Sequence, residues 1–170
     1  DFVRDLDPTR RVTYAASGWG KGISDVIDVM GFNYIFNGDI DSQHGRRPGQ
    51  PSIGTEETTS RGTRGVYEDD RARAWMQQTD RKPGGRSLEE GFRFYAERPF
   101  LSGLFYWTGF DHRGEPNPYG WPQVGSQCGI FDLCGFPKDM AWYLKAEWTA
   151  EPVIHLFPHW NWSGREGNPV

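Results

Sequence analysis

The sequence predicts an α/β fold built on a parallel sheet. Short apolar segments, such as residues 26–34 and 101–107, alternate along the chain with segments of helical character. Apolar strands that alternate with helices are typical of parallel sheets covered on both faces. Polar and aromatic residues follow each of these segments, and the active site of a (β/α)8 barrel lies at the carboxyl ends of its strands. We therefore predict a piece of a (β/α)8 TIM barrel.

Four strands and two main helices make up this pattern. The predicted strands cover residues 12–16, 26–34, 51–56 and 101–107. A helix is predicted from Ser87 to about residue 98, because Ser87 and Glu90 have the spacing of a capping box before an apolar face. A second helix covers residues 138–148, with apolar residues on one side. Residues 153–157 follow Pro152 and are predicted to form a strand of a different domain.

Composition excludes several classes of partner. The chain has 170 residues, with 19 Lys and Arg against 23 Asp and Glu, for a net charge of −4. This balance argues against nucleic acid, because phosphate binding normally requires a basic surface. No apolar run approaches the roughly 18 residues that span a bilayer, so no membrane partner is predicted. The two cysteines, Cys128 and Cys134, lack the spacing of a zinc site, and we predict neither a metal nor a cofactor.

Aromatic residues are abundant, with 8 Trp, 7 Tyr and 11 Phe. Flat rings that carry a polar edge stack well on sugars, but the same composition also builds a large aromatic core. Composition alone leaves both interpretations open.

Several stretches resemble glycoside hydrolase family 2. Residues 51–56, with the sequence PSIGTE, and the following Ser60-Arg61-Gly62 resemble the nucleophile segment of that family. Residues 107–139 resemble its bacterial β-galactosidase branch, which is the most specific part of the resemblance. Residues 6–13 resemble the segment after the family's acid/base glutamate, and residues 152–162 resemble the passage from the barrel into a β-sandwich domain. The resemblance covers essentially the whole chain.

The resemblance implies a domain organisation. Residues 1–150 would be the C-terminal half of the catalytic barrel, with strands five to eight, and residues 151–170 a linker and the first strand of a β-sandwich domain. The chain begins without Met on a short amphipathic segment, so we expect it to be cut from a longer protein. Exposed sheet edges then predict association with the missing half of the barrel or with another copy. The resemblance favours a periplasmic or secreted protein over a cytoplasmic one.

The implied activity is hydrolysis of terminal β-galactosides with retention of configuration. Retaining enzymes use one carboxylate as nucleophile and a second as acid and base, about 5–5.5 Å apart. The acid/base would lie upstream of this chain, so the isolated chain is expected to be inactive. A β-glucuronidase or β-mannosidase remains an alternative, since Arg46, Arg47, Arg61 and Arg64 could bind a uronate. The third interpretation is a non-catalytic piece that binds carbohydrate.

Glu56 maps onto the family's nucleophile, and Tyr34, at the end of the preceding strand, onto the tyrosine that orients it. An exposed loop glutamate and a core tyrosine are the plain alternatives. The adjacent Glu57 is not expected in the same pocket, because successive side chains of a strand point to opposite faces.

Five further residues are predicted to contact the sugar. Trp107 resembles the tryptophan that forms the floor of the sugar subsite, although a packed core tryptophan would look the same. Each of the others has a structural alternative: a solvated loop histidine, a turn-capping asparagine, or a clamp on the turn at Gly114. These predicted substrate-binding residues are Trp107, His44, Asn33, Asp111 and His112.

Overall fold

The structure is a computed structural model that describes residues 2–57, 60–78, 87–116, 119–161, 164 and 166–167. The chain divides into two compact units. The first comprises Asp1–Thr59 and Arg81–Trp107, and the second comprises Ser60–Asp80 and Thr108–Val170. In the part of the chain that the structure describes, no helix is long and apolar enough to cross a membrane.

A four-stranded parallel sheet forms the first unit. Its strands lie in chain order β1-β2-β3-β4, and each pairs in parallel with the next. The predicted α/β class with a parallel sheet is thereby confirmed. The strands are β1 (Thr13–Ala16), β2 (Val29–Asn33), β3 (Ser52–Glu57) and β4 (Leu101–Tyr106).

The described residues of this unit also form three α-helices: α1 (Phe2–Leu6), α2 (Ile40–Arg46) and α3 (Leu88–Ala96). The predicted capping box of α3 is present, with Glu90 N donating to Ser87 Oγ at 3.1 Å and Ser87 N to Glu90 Oε2 at 2.9 Å. Helix α2 was not predicted. It begins after Asp39, whose carboxylate accepts a bond from Ser42 N at 2.9 Å, as an N-cap does.

The core of this unit lies around β2. Met30 and Phe32 are completely buried, and Ile40 and Leu101 pack with them in one apolar cluster. Trp19 lies edge-on to Phe32, with ring centroids 4.7 Å apart. Because β2 is enclosed in this way, the residues at its carboxyl end have a fixed position relative to the neighbouring β3.

Gly54 in β3 leaves room for the side chain of Tyr95, so Gly54→Ala is expected to loosen the packing of α3 on the sheet. A methyl group at residue 54 would overlap the Tyr95 hydroxyl and lie 2.8 Å from Glu57 Cγ. We expect the free energy of unfolding to fall by about 1–3 kcal/mol, as it does when other cores are overpacked. Faster hydrogen exchange of peptides from β3 and α3 would measure this loss of stability. Gly49→Ala is the matched control, because a methyl group at residue 49 would meet no atom within 4 Å; equal exchange in both variants would contradict the prediction.

The second unit contains α4 (Asp139–Trp148) and a short antiparallel pair, β5 (His112–Arg113) with β6 (Gly125–Ser126). Residues 153–157, predicted as a strand, form none. A strand requires a partner for its hydrogen bonds, and no described segment pairs with them. Instead, His155 Nε2 lies 2.7 Å from Asp139 Oδ1, and the His155 ring stacks with the rings of Trp142 and Phe157.

Candidate active site

The carboxylate of Glu56, near the carboxyl end of β3, is held by two side-chain donors. The Tyr34 hydroxyl donates to its Oε1, and Asn33 Nδ2 donates to its Oε2 at 3.0 Å. Each carboxylate oxygen therefore has its own donor, and the plane of the group is fixed. Glu56 itself is half-buried.

The sheet brings these residues together because parallel neighbours end at the same edge. Asn33 is the last residue of β2, Tyr34 follows it, and Asn33 is the register partner of Glu56. The register shifts between Phe32 and Asn33, so that Asn33 faces Glu56 directly. The structure thus gathers Glu56, Tyr34 and Asn33 at one point.

Glu57 makes a separate contact. It is completely buried, and its Oε1 accepts a bond from the Tyr95 hydroxyl at 3.0 Å. Burial, followed by the nearby Glu57 charge, raises the pKa of Tyr95. This pair joins β3 to α3, whereas the Glu56 carboxylate faces the end of β2.

Trp107 and His44 belong to the same unit. Trp107 directly follows β4, its backbone N donates to Glu57 O at 3.1 Å, and 36% of its surface is exposed. His44 lies in α2 and stacks flat on Phe100, with ring centroids 3.9 Å apart. Its Nδ1 is buried without a hydrogen-bond partner among the described residues. Trp107 thus lies beside the end of β3 with part of its surface exposed, and His44 packs against the Phe100 ring.

Asp111 and His112 lie in the second unit. Lys138 Nζ donates to Asp111 Oδ1 at 2.6 Å, and Gly129 N donates to the same oxygen at 2.9 Å. The ion pair is nearly enclosed, and burial raises the pKa of Asp111 and lowers the pKa of Lys138. His112 Nε2 lies 3.1 Å from Glu115 Oε2. Both residues therefore contact neighbours within their own unit, and their predicted contact with a sugar stays a prediction.

Two residues that sequence reasoning missed are Thr55 and Lys138. The Thr55 hydroxyl lies 2.6 Å from Asn33 Oδ1, and Lys138 is the buried partner of Asp111. A threonine in a strand and a lysine before a helix carry no distinctive sequence signal. Among the described residues, no group of three or more His, Cys, Asp or Glu side chains has the arrangement of a metal site.

The first unit holds an oriented carboxylate at the carboxyl end of a parallel strand, which is where (β/α)8 enzymes carry their catalytic groups. Comparisons with known proteins identify the family. The chain is 41% identical over 184 aligned residues to the β-galactosidase BoGH2A of Bacteroides ovatus, covering 95% of this chain and 22% of that protein. A Formosa agariphila protein, provisionally named a β-glucuronidase, is 41% identical over 66 residues, covering 38% of this chain and 6% of its own length.

A solved structure agrees with these similarities. A β-glycosidase from Bacteroides vulgatus superposes with a TM-score of 0.80 at 27% identity, over 99% of this chain and 26% of its own. No family model matches the chain. On the sequence and structural similarities, the chain belongs to glycoside hydrolase family 2. It spans about a fifth of the B. ovatus relative.

Proposed function

We propose that this chain is the nucleophile-bearing part of a retaining glycoside hydrolase that acts on terminal β-galactosides. The observation that carries the proposal is the Glu56 carboxylate, held by Tyr34 and Asn33 at the carboxyl end of a parallel strand. The 41% identity to a β-galactosidase supports galactose as the sugar.

In the proposed mechanism, Glu56 attacks the anomeric carbon while the glycosidic oxygen leaves with a proton from an acid carried by the upstream part of the protein. The product of this step is a covalent galactosyl ester of Glu56. A water molecule, deprotonated by the same upstream group, then attacks the anomeric carbon and releases galactose and the free carboxylate. Tyr34 and Asn33 hold the carboxylate in the orientation for attack, and the Trp107 ring forms the floor under the sugar.

We further propose that β1–β4 are strands five to eight of a (β/α)8 barrel, with residues 1–150 in the barrel and 151–170 leading into a β-sandwich. Within the described sheet, β1 and β4 are the edge strands, and Tyr14 and Phe105 on them are 43% and 64% exposed. Strands of the upstream half would pair with these edges and cover such side chains. The similarity to about a quarter of the B. vulgatus β-glycosidase is in keeping with this.

A uronide substrate is the second candidate, supported by the similarity to the F. agariphila protein. Recognition of a uronate carboxylate calls for an available cation. Three of the four arginines considered for this task already have partners: Arg46 donates to Gly20 O, Arg47 pairs with Asp25, and Arg64 pairs with Asp132. Arg61 is the exception, since its Nε is buried without a hydrogen-bond partner among the described residues. The similarity to a β-galactosidase over 95% of this chain, against 38% for the F. agariphila protein, is what favours the galactoside.

Covalent trapping in the full-length protein tests the proposal. Incubation with a 2-deoxy-2-fluoro-β-galactoside that has a good leaving group is expected to label Glu56, and fragment ions from the digested peptide distinguish Glu56 from Glu57. A label on another residue would overturn the assignment of the nucleophile. Labelling only by the matching 2-fluoro-glucuronide would favour the uronide. The absence of any label and of any hydrolysis would favour a non-catalytic carbohydrate-binding role.

A further inference from the structure

We infer that Thr55 is a positioning residue that sets the orientation of the Asn33 amide and, through it, of the Glu56 carboxylate. The inference rests on the proposed function, because it assigns Thr55 a part in the chemistry of Glu56. Thr55 directly precedes Glu56 in β3 and is half-buried, whereas Asn33 is 8% exposed.

Two consecutive hydrogen bonds connect the three side chains. The Thr55 hydroxyl lies 2.6 Å from Asn33 Oδ1, and Asn33 Nδ2 lies 3.0 Å from Glu56 Oε2. The backbone of Asn33 is held separately, since Asn37 Nδ2 donates to Asn33 O at 2.5 Å. The contact with Asn37 holds the backbone of Asn33 in place. The contact with Thr55 restricts the rotation of the Asn33 side-chain amide.

The chemistry of the two ends selects one orientation of that amide. An ionised carboxylate can only accept hydrogen bonds, so the NH2 group of Asn33 faces Glu56 and its oxygen faces Thr55. The Thr55 hydroxyl has one proton and two acceptors within reach, Asn33 Oδ1 at 2.6 Å and Phe32 O at 3.1 Å. The shorter contact takes the proton, which stabilises the orientation in which Nδ2 faces Glu56.

Without the Thr55 hydroxyl, the Asn33 amide is held, among the described residues, only by its hydrogen bond to Glu56. The terminal torsion of asparagine is broad, so an amide held at one end samples other rotations. A valine at residue 55 has the same shape as threonine but places a methyl group against the buried Oδ1. The amide oxygen then has no donor there, and the bond from Nδ2 to Glu56 weakens.

Thr55→Val in the full-length protein is expected to lower the rate of trapping by the 2-fluoro-galactoside about 10-fold, in keeping with a weakened hydrogen bond to a charged group. The affinity for galactose as a competitive inhibitor should stay unchanged, since Thr55 is not proposed to touch the sugar. Thr55→Ser keeps the hydroxyl and should restore the rate. Thr13→Val is the matched control, because the Thr13 hydroxyl donates to Val29 O in the same sheet.

A double-mutant cycle tests whether Thr55 acts through Asn33. In an Asn33→Ala background, Thr55→Val should cause no further loss, because the amide that it orients is absent. A Thr55→Val rate equal to that of Thr13→Val, or a full additional loss in the Asn33→Ala background, would overturn the inference. If Glu56→Gln retains full turnover, the proposed function itself fails; if Glu56→Gln is inactive and Thr55→Val is unaffected, only the role of Thr55 fails.

Discussion

Glu56→Gln in the full-length protein is expected to reduce β-galactoside turnover on the order of 10⁴-fold or more, the scale seen when an enzyme loses its nucleophile. The amide of glutamine retains nearly the same shape but cannot form the glycosyl ester. Steady-state kinetics with an aryl β-galactoside measures the loss. Glu89→Gln provides the matched control, because Glu89 is exposed and pairs with Arg93 on the surface of α3; equal turnover in both variants would contradict the role of Glu56.

A small nucleophile distinguishes loss of the attacking group from general damage. Glu56→Ala leaves space next to the anomeric carbon, on the face from which the carboxylate attacks. Azide entering that space should attack the carbon, form a C–N bond and release the aryl alcohol, giving α-galactosyl azide. An azide-dependent rate with this inverted product supports a retaining mechanism, and a β-configured azide product would contradict it.

Periodicity predicts β2 well because this strand is short, apolar and largely buried. The alternation of residues 26–34 with later apolar segments reflects the enclosure of Met30 and Phe32 in the core. Helix α2 escaped prediction because it is brief, includes Gly45 and follows a polar segment, so its Asp39 N-cap was the main signal. For residues 153–157, a strand was predicted where the structure has none, because an apolar segment forms a strand only if another segment pairs with it.

The candidate site divides in the same way. The family resemblance around residues 51–56 and at the end of the preceding strand implies a contact between Glu56 and Tyr34, and the structure has that contact. The catalytic roles of the two residues stay predictions. The contact of Asn33 with the carboxylate depends on a register shift, and the contact of Thr55 with Asn33 depends on side-chain rotamers. Neither is encoded in residue spacing. For the same reason, the sequence offered no indication that Asp111 is paired with Lys138.

The pairing of Asp111 with Lys138 carries the largest expected effect on stability. The two side chains are 10% and 5% exposed, and their charged atoms lie 2.6 Å apart. Burial raises the pKa of Asp111 and lowers the pKa of Lys138, so the fold disfavours each charged form even though the partner favours it. By linkage, the Asp111 contribution to stability is greatest at acidic pH and declines as pH rises, and the Lys138 contribution declines as pH falls. At pH values where both groups are charged, the free energy of desolvating the pair is only partly offset by the attraction between the two charges.

Asp111→Ala should therefore lower the stability of the second unit by about 3–5 kcal/mol, because it leaves the Lys138 ammonium buried without its counter-charge. Replacing both residues, as Asp111→Leu with Lys138→Met, should restore stability to near the wild-type value or above it. Hydrogen exchange of peptides from residues 124–148 in the full-length protein measures both effects. If the double variant is as unstable as Asp111→Ala, the loss comes from packing at residue 111 and not from a stranded charge. If the double variant is restored and retains galactosidase turnover, Asp111 acts in the fold of its unit, and the predicted contact with the sugar is not required.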